Sequence, residues 1–130
     1  MSDEHPAIDP TYPSRRLLAL IGDRWTPIVL YVLGIGTRRY GELQRQLPGI
    51  SKKMLTQTLR NLEQGGLLRR KVYAVVPPRV DYDLTALGRT FREPAEALCE
   101  WAKRHEQDIA TVEKNQARKR GKTNLCLYIL

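Results

Sequence analysis

The chain has 130 residues, 42% hydrophobic and 28% charged, with a formal net charge of +8 and a pI near 9.8. That suits one globular domain with a real core, and the basic balance favours nucleic acid or an anionic surface as a partner. Two cysteines, Cys99 and Cys126, exclude a disulfide framework or a cysteine metal site. No stretch approaches the ~20 apolar residues of a membrane span or resembles a signal peptide, so a cytoplasmic chain with no membrane partner is expected.

Residues 1–11 are polar, carry two prolines and read as a flexible arm. From Ser14 the pattern turns helical: Leu17, Leu18, Leu20 and Ile21 form an apolar face that Gly22 ends. Asp23 is placed to cap a second helix through Trp25, Ile28, Val29, Tyr31, Val32 and Leu33. Pro27 is tolerated in its first turn, and Gly34 and Gly36 close it. Residues 37–40 predict a short strand. Tyr40 begins a short helix over 41–47, with Leu43 and Leu47 on one face and Pro48-Gly49 as its stop. Ser51 caps the next helix, residues 52–64, which Gly65-Gly66 terminates.

Residues 67–76 and 79–84 read as two strands joined at Pro77-Pro78. In the second, Val80, Tyr82 and Leu84 alternate with Arg79, Asp81 and Asp83, which predicts one buried face. Thr85 caps a final long helix to about residue 114, with a kink expected at Pro94. Phe91, Ala95, Leu98, Ala102 and Ile109 form its apolar stripe. The domain thus spans 12–114. Lys114, Arg118, Lys119, Arg120 and Lys122 follow with no acid among them, so 115–130 is a basic tail, read either as extra DNA contact or as a solvated run. The fold class is mainly α with a small β-ribbon (α+β).

The 52–64 helix carries the chemistry. At 100° per residue, Leu55, Leu59 and Leu62 fall within an arc of about 60°. Lys53, Gln57, Arg60 and Gln64 lie opposite, flanked by Thr56 and Asn61, with no acid among them and Glu63 toward the aliphatic edge. Arg can bond guanine bidentately, and Gln or Asn can do so with adenine. Lys52 and Lys53 suit phosphate at the positive helix end, and Thr56 suits a phosphate or a thymine methyl. The ribbon adds Arg69, Arg70, Lys71 and Arg79, residue types that approach phosphates or the minor groove. For Tyr40, packing and a phosphate contact are both open. Helix, tight turn, basic helix and ribbon, in that order, make a winged helix-turn-helix.

Several separated segments resemble the HxlR-type transcription regulators. They are Leu20-Ile21-Gly22-Asp23-Arg24-Trp25-Thr26, Leu47-Pro48-Gly49-Ile50-Ser51-Lys52-Lys53-Met54-Leu55-Thr56, Val76-Pro77-Pro78-Arg79-Val80-Asp81-Tyr82, Leu84-Thr85-Ala86-Leu87-Gly88 and Ala97-Leu98-Cys99-Glu100-Trp101. The resemblance spans residues 12–101. It implies a winged helix-turn-helix, a homodimer with terminal helices in its interface, and a double-stranded DNA operator near a regulated gene. It also implies a recognition segment over residues 51–61 and, through DNA, association with the nucleoid. Where many relatives carry a cysteine before the first helix, this chain has Tyr12 followed by Pro13, so thiol sensing is not carried over. Cys99 reads as a small hydrophobe, and Cys126 lies outside the resemblance.

Trp25 and Trp101 are expected as core or interface anchors. His5 lies in the arm, and His105 with Cys99 and Glu106 has no metal-ligand spacing, so neither metal nor cofactor is expected. No phosphate loop, nucleophile triad or paired-carboxylate motif supports catalysis. Two alternatives stand beside the operator-binding regulator: a winged-helix protein-interaction module without an operator, and a regulator with a small-molecule effector near the terminal helices.

Overall fold

The structure, a computed structural model, describes residues 9–129, and of residues 121–129 the backbone only. It divides into two compact units, Met1–Ala95 and Glu96–Leu130. The first holds α1 (Pro13–Ile21), α2 (Thr26–Ile35), β1 (Arg38–Arg39), α3 (Tyr40–Gln46), α4 (Lys52–Gln64), β2 (Leu68–Tyr73), β3 (Arg79–Leu84) and α5 (Ala86–Arg89). α6 (Arg92–Arg104) and α7 (Glu106–Ile129) complete the order. His5 lies outside the described residues, as does the side chain of Cys126.

Local sequence accounts for most boundaries. Pro13 and Pro27 fall in the first turns of α1 and α2, where a missing N–H costs nothing. The Asp23 carboxylate accepts the backbone N–H groups of Trp25 and Thr26, both at 2.8 Å, and so holds the start of α2, whose N-cap residue is Trp25. The turn between α3 and α4 needs Gly49 at φ 93°, a conformation that strains a residue with a Cβ. Ser51 Oγ accepts the Met54 N–H at 3.1 Å and starts α4.

β3 is the central strand of a three-stranded antiparallel sheet ordered β1-β3-β2. Its register pairs Leu68 with Leu84, Lys71 with Asp81 and Tyr73 with Arg79. Leu33 of α2, Leu43 of α3, Leu55, Leu59 and Leu62 of α4, Leu68 of β2 and Leu84 of β3 meet in one buried cluster. Each such side chain contributes about 1.5–3 kcal/mol by leaving water. This cluster fixes α4 against the sheet and leaves its other face outward. Gly88 is pressed against β2's approach: a Cβ there would lie 2.1 Å from the Leu67 carbonyl oxygen.

The structure corrects four expectations. The long final helix is three helices. Pro94 would strike the carbonyl of Thr90 in a continuous helix, so α5 ends at Arg89 and α6 begins at Arg92, which puts Pro94 in a first turn. At the next break, His105 Nδ1 lies 2.9 Å from the Trp101 carbonyl that its own backbone N–H also uses. α7 then runs to Ile129, past the expected end near 114. β2 stops at Tyr73 rather than 76, ahead of a turn with a cis Val76-Pro77 bond. Asp81, assigned to the open face of β3, is only 7% exposed, because the strand is central and two arginines lie over the carboxylate. On α1 only Ile21 is buried; Leu17, Leu18 and Leu20 are 43%, 61% and 76% exposed.

Candidate nucleic-acid interface

α4 has the two faces that its sequence requires. Leu55, Leu59 and Leu62 are buried, and Thr58 joins them. Ser51, Lys52, Lys53, Thr56, Gln57, Arg60, Asn61 and Gln64 are all exposed. Met54, which sequence reasoning left out, is also exposed in the first turn and offers an apolar contact among the donors. One pair on this face is preorganised: Gln57 Nε2 donates to Asn61 Oδ1 at 2.8 Å, one turn along. That leaves the Gln57 carbonyl oxygen and the Asn61 amide protons free for a partner.

Tyr40 stands at the junction of α3 and α4. Its hydroxyl donates to the Lys52 carbonyl at 3.0 Å and lies 3.1 Å from Thr56 Oγ1. These two contacts hold Tyr40 against α4. The start of α3 is held from the other side by Glu42, whose carboxylate accepts the Arg39 N–H at 3.2 Å.

The two-residue period of the hairpin sorts its cations. Arg69, Lys71 and Tyr73 share a face with their cross-strand partners Asp83, Asp81 and Arg79. Arg79 meets Asp81 through two hydrogen bonds, Nε to Oδ1 at 3.1 Å and Nη2 to Oδ2 at 3.2 Å. Arg39 approaches the same carboxylate at 3.9 Å. Asp83 receives Arg69 at 2.8 Å and Arg89 at 3.5 Å. The Lys71 ammonium and the Arg79 guanidinium lie 5.0 and 5.3 Å from the centre of the Tyr73 ring. The wing cations are therefore partly neutralised by Asp81 and Asp83. Opposite-sign residues facing each other across the hairpin were the sequence signal for this pairing.

Arg70 faces the other way, 3.9 Å from Glu63 of α4. It helps line a cleft of about 330 Å³ between α4 and the sheet, with Tyr40, Thr56, Arg60, Glu63 and Tyr82 around it. Burial pushes the Tyr82 phenol above its ordinary value, with Arg70 opposing, so it stays protonated. The structure thus brings the residues from Ser51 to Asn61 together with Tyr40 and Arg70. Arg69, Lys71 and Arg79 form a separate patch on the ribbon.

Among the described residues no group of His, Cys, Asp or Glu could hold a metal ion. Nor, among them, is any single helix long and apolar enough to cross a membrane. Cys99 is a half-buried free thiol. Trp25 packs against the core cluster. Trp101 is half exposed and stacks on His105 with ring centres 4.4 Å apart.

Residues 20–110 match the family described as HxlR-like helix-turn-helix. This chain belongs to that family. It is 41% identical over 105 residues to the uncharacterized HTH-type transcriptional regulator YtfH of Escherichia coli K12, an alignment covering 81% of this chain and 83% of YtfH. Among solved structures it is similar to the redox regulator HypR in its reduced form, with a TM-score of 0.72, 36% identity and coverage of 76% and 98%. It is also similar to the reduced form of the transcriptional regulator YodB from B. subtilis, with a TM-score of 0.61, 33% identity and coverage of 69% and 89%. This HxlR-like chain is a DNA-binding transcriptional regulator with a winged helix-turn-helix fold, and not an enzyme.

Proposed function

We propose that α4 enters the major groove and that the protein binds a pseudo-palindromic operator as a homodimer, acting as a repressor. The acid-free, exposed donor face of α4 carries this reading. A helix of 13 residues, about 20 Å long, fits the groove with that face turned to the base edges. Lys53, Gln57, Asn61 and Arg60 supply base or phosphate contacts. Ser51 and Lys52 meet phosphate at the helix start, and Lys71 and Arg79 serve the wing. The exposed leucines of α1 support pairing with a second copy, since a monomer gains nothing by leaving them in water. The exposed Leu98 and Trp101 of α6 support the same.

A cavity of about 810 Å³ supports a second role, response to an effector. Leu20, Leu30, Leu62, Leu87 and Phe91 supply apolar walls, Asn61 and Gln64 supply amides, and among the described residues no charged one lines it. Such a site suits a neutral, largely apolar small molecule.

Selection of bound duplexes from a random pool tests the operator reading. The expected motif is two-fold symmetric with half-sites about one turn, ~34 Å, apart or a multiple of it. Recovery of no motif from the pool would overturn it and favour the protein-interaction module.

A further inference from the structure

We infer that Tyr40 is a positioning residue that takes the hydroxyl proton of Thr56, so that Thr56 meets DNA as a hydrogen-bond acceptor and selects a base bearing an exocyclic amino group. This rests on the reading in which α4 lies in the major groove.

A phenol has a single proton, and a carbonyl oxygen can only accept. The 3.0 Å contact from the Tyr40 hydroxyl to the Lys52 carbonyl therefore uses the Tyr40 proton. The 3.1 Å contact between Thr56 Oγ1 and the same phenol oxygen must then use the proton of Thr56. Thr56 is exposed on the side of α4 that carries Lys53 and Arg60. What its oxygen still offers outward is lone pairs.

Phosphate oxygens, guanine O6 and N7 and thymine O4 are acceptors, and they find no donor at Thr56. Adenine N6 and cytosine N4 are donors, and they do. Thr56 is thereby removed from the phosphate contacts and made a discriminator of adenine or cytosine against guanine or thymine at one position of the contacted strand. Tyr40 enforces this without touching DNA. The same two bonds tie α3 to the first turn of α4, so the reader and its orientation are set by one side chain.

The test sequences duplexes selected by the full chain and by Tyr40→Phe, Thr56→Val, Thr56→Ser and Arg60→Ala, with thermal unfolding of each as a folding control. The full chain and Thr56→Ser should share a preference for adenine or cytosine at one position. Tyr40→Phe and Thr56→Val should reduce that preference by about fivefold, the worth of one hydrogen bond, with the rest of the motif intact. A folded Tyr40→Phe variant with an unchanged profile overturns the proposal, as does a loss spread evenly over every position. If Tyr40→Phe does not fold, the contrast between Thr56→Val and Thr56→Ser decides. Should Arg60→Ala also leave the motif untouched, the placement of α4 itself falls, and the role of Thr56 with it.

Discussion

Replacing Asp81 by asparagine separates what the wing does for the fold from what it does for DNA. The Asp81 carboxylate is 10% exposed and holds Arg79 through two hydrogen bonds, with Arg39 at 3.9 Å. Breaking a fully buried pair costs about 3–5 kcal/mol, and an exposed pair is worth about 0.2–1. Both guanidinium groups here are about half exposed, so solvent screens them and Asp81→Asn should cost about 1–2 kcal/mol of stability. The same change releases Arg79 toward phosphate. One added phosphate contact steepens the slope of log affinity against log salt by about 0.9. Across 50 to 200 mM salt that is an extra loss of about threefold, on top of tighter binding at low salt. Urea unfolding and fluorescence anisotropy on a scrambled duplex read the two effects. Weaker binding with a shallower slope would refute the reasoning, because it would mean that Asp81 aims Arg79 at DNA rather than withholding it.

Three further outcomes follow from local geometry. Gly88→Ala places a Cβ about on the Leu67 carbonyl oxygen and should destabilise by roughly 1–3 kcal/mol in chemical unfolding, with an unchanged midpoint as the contrary result. At Asp23, burial raises the carboxyl, but bonds from the Thr26 hydroxyl and the Thr26 and Trp25 amides more than reverse this and hold it below its ordinary 3.8. Its stabilisation is therefore complete above that value and lost as pH falls through the lower folded value. Asp23→Ala should cost about 1 kcal/mol at neutral pH, with a gap from the native chain that closes in acid. Leu20→Glu puts a charge on the exposed face of α1 and should shift sedimentation from dimer to monomer while leaving the fold intact; an unaffected dimer would remove α1 from the interface.

Much of the fold is legible because its boundaries rest on local chemistry. Ser51, Asp23, Thr85, Pro27 and Gly49 do in space what their residue types dictate in sequence. The two faces of α4 follow from its period, and so did the residues assigned to DNA. What escaped the sequence depends on partners distant in the chain. Tyr40 reaches Thr56, 16 residues on. Helix period cannot register such contacts, and strand alternation cannot foresee that a central strand buries the side chain of Asp81. Pro94 misled for another reason. A proline that kinks a helix and a proline that restarts one look alike until the carbonyl four residues earlier is placed. The apolar face of α1 was legible as a face, but its period could not show that Leu17, Leu18 and Leu20 stay exposed while Ile21 is buried.

The most direct test of α4 as the reading element is anisotropy of the native chain and Arg60→Ala on a selected duplex and a scrambled one, across a salt series. The native chain should prefer the selected duplex at moderate salt. Arg60→Ala should lose about 1–3 kcal/mol on that duplex and much less on the scrambled one. Equal, salt-fragile binding of the native chain to both duplexes would contradict it.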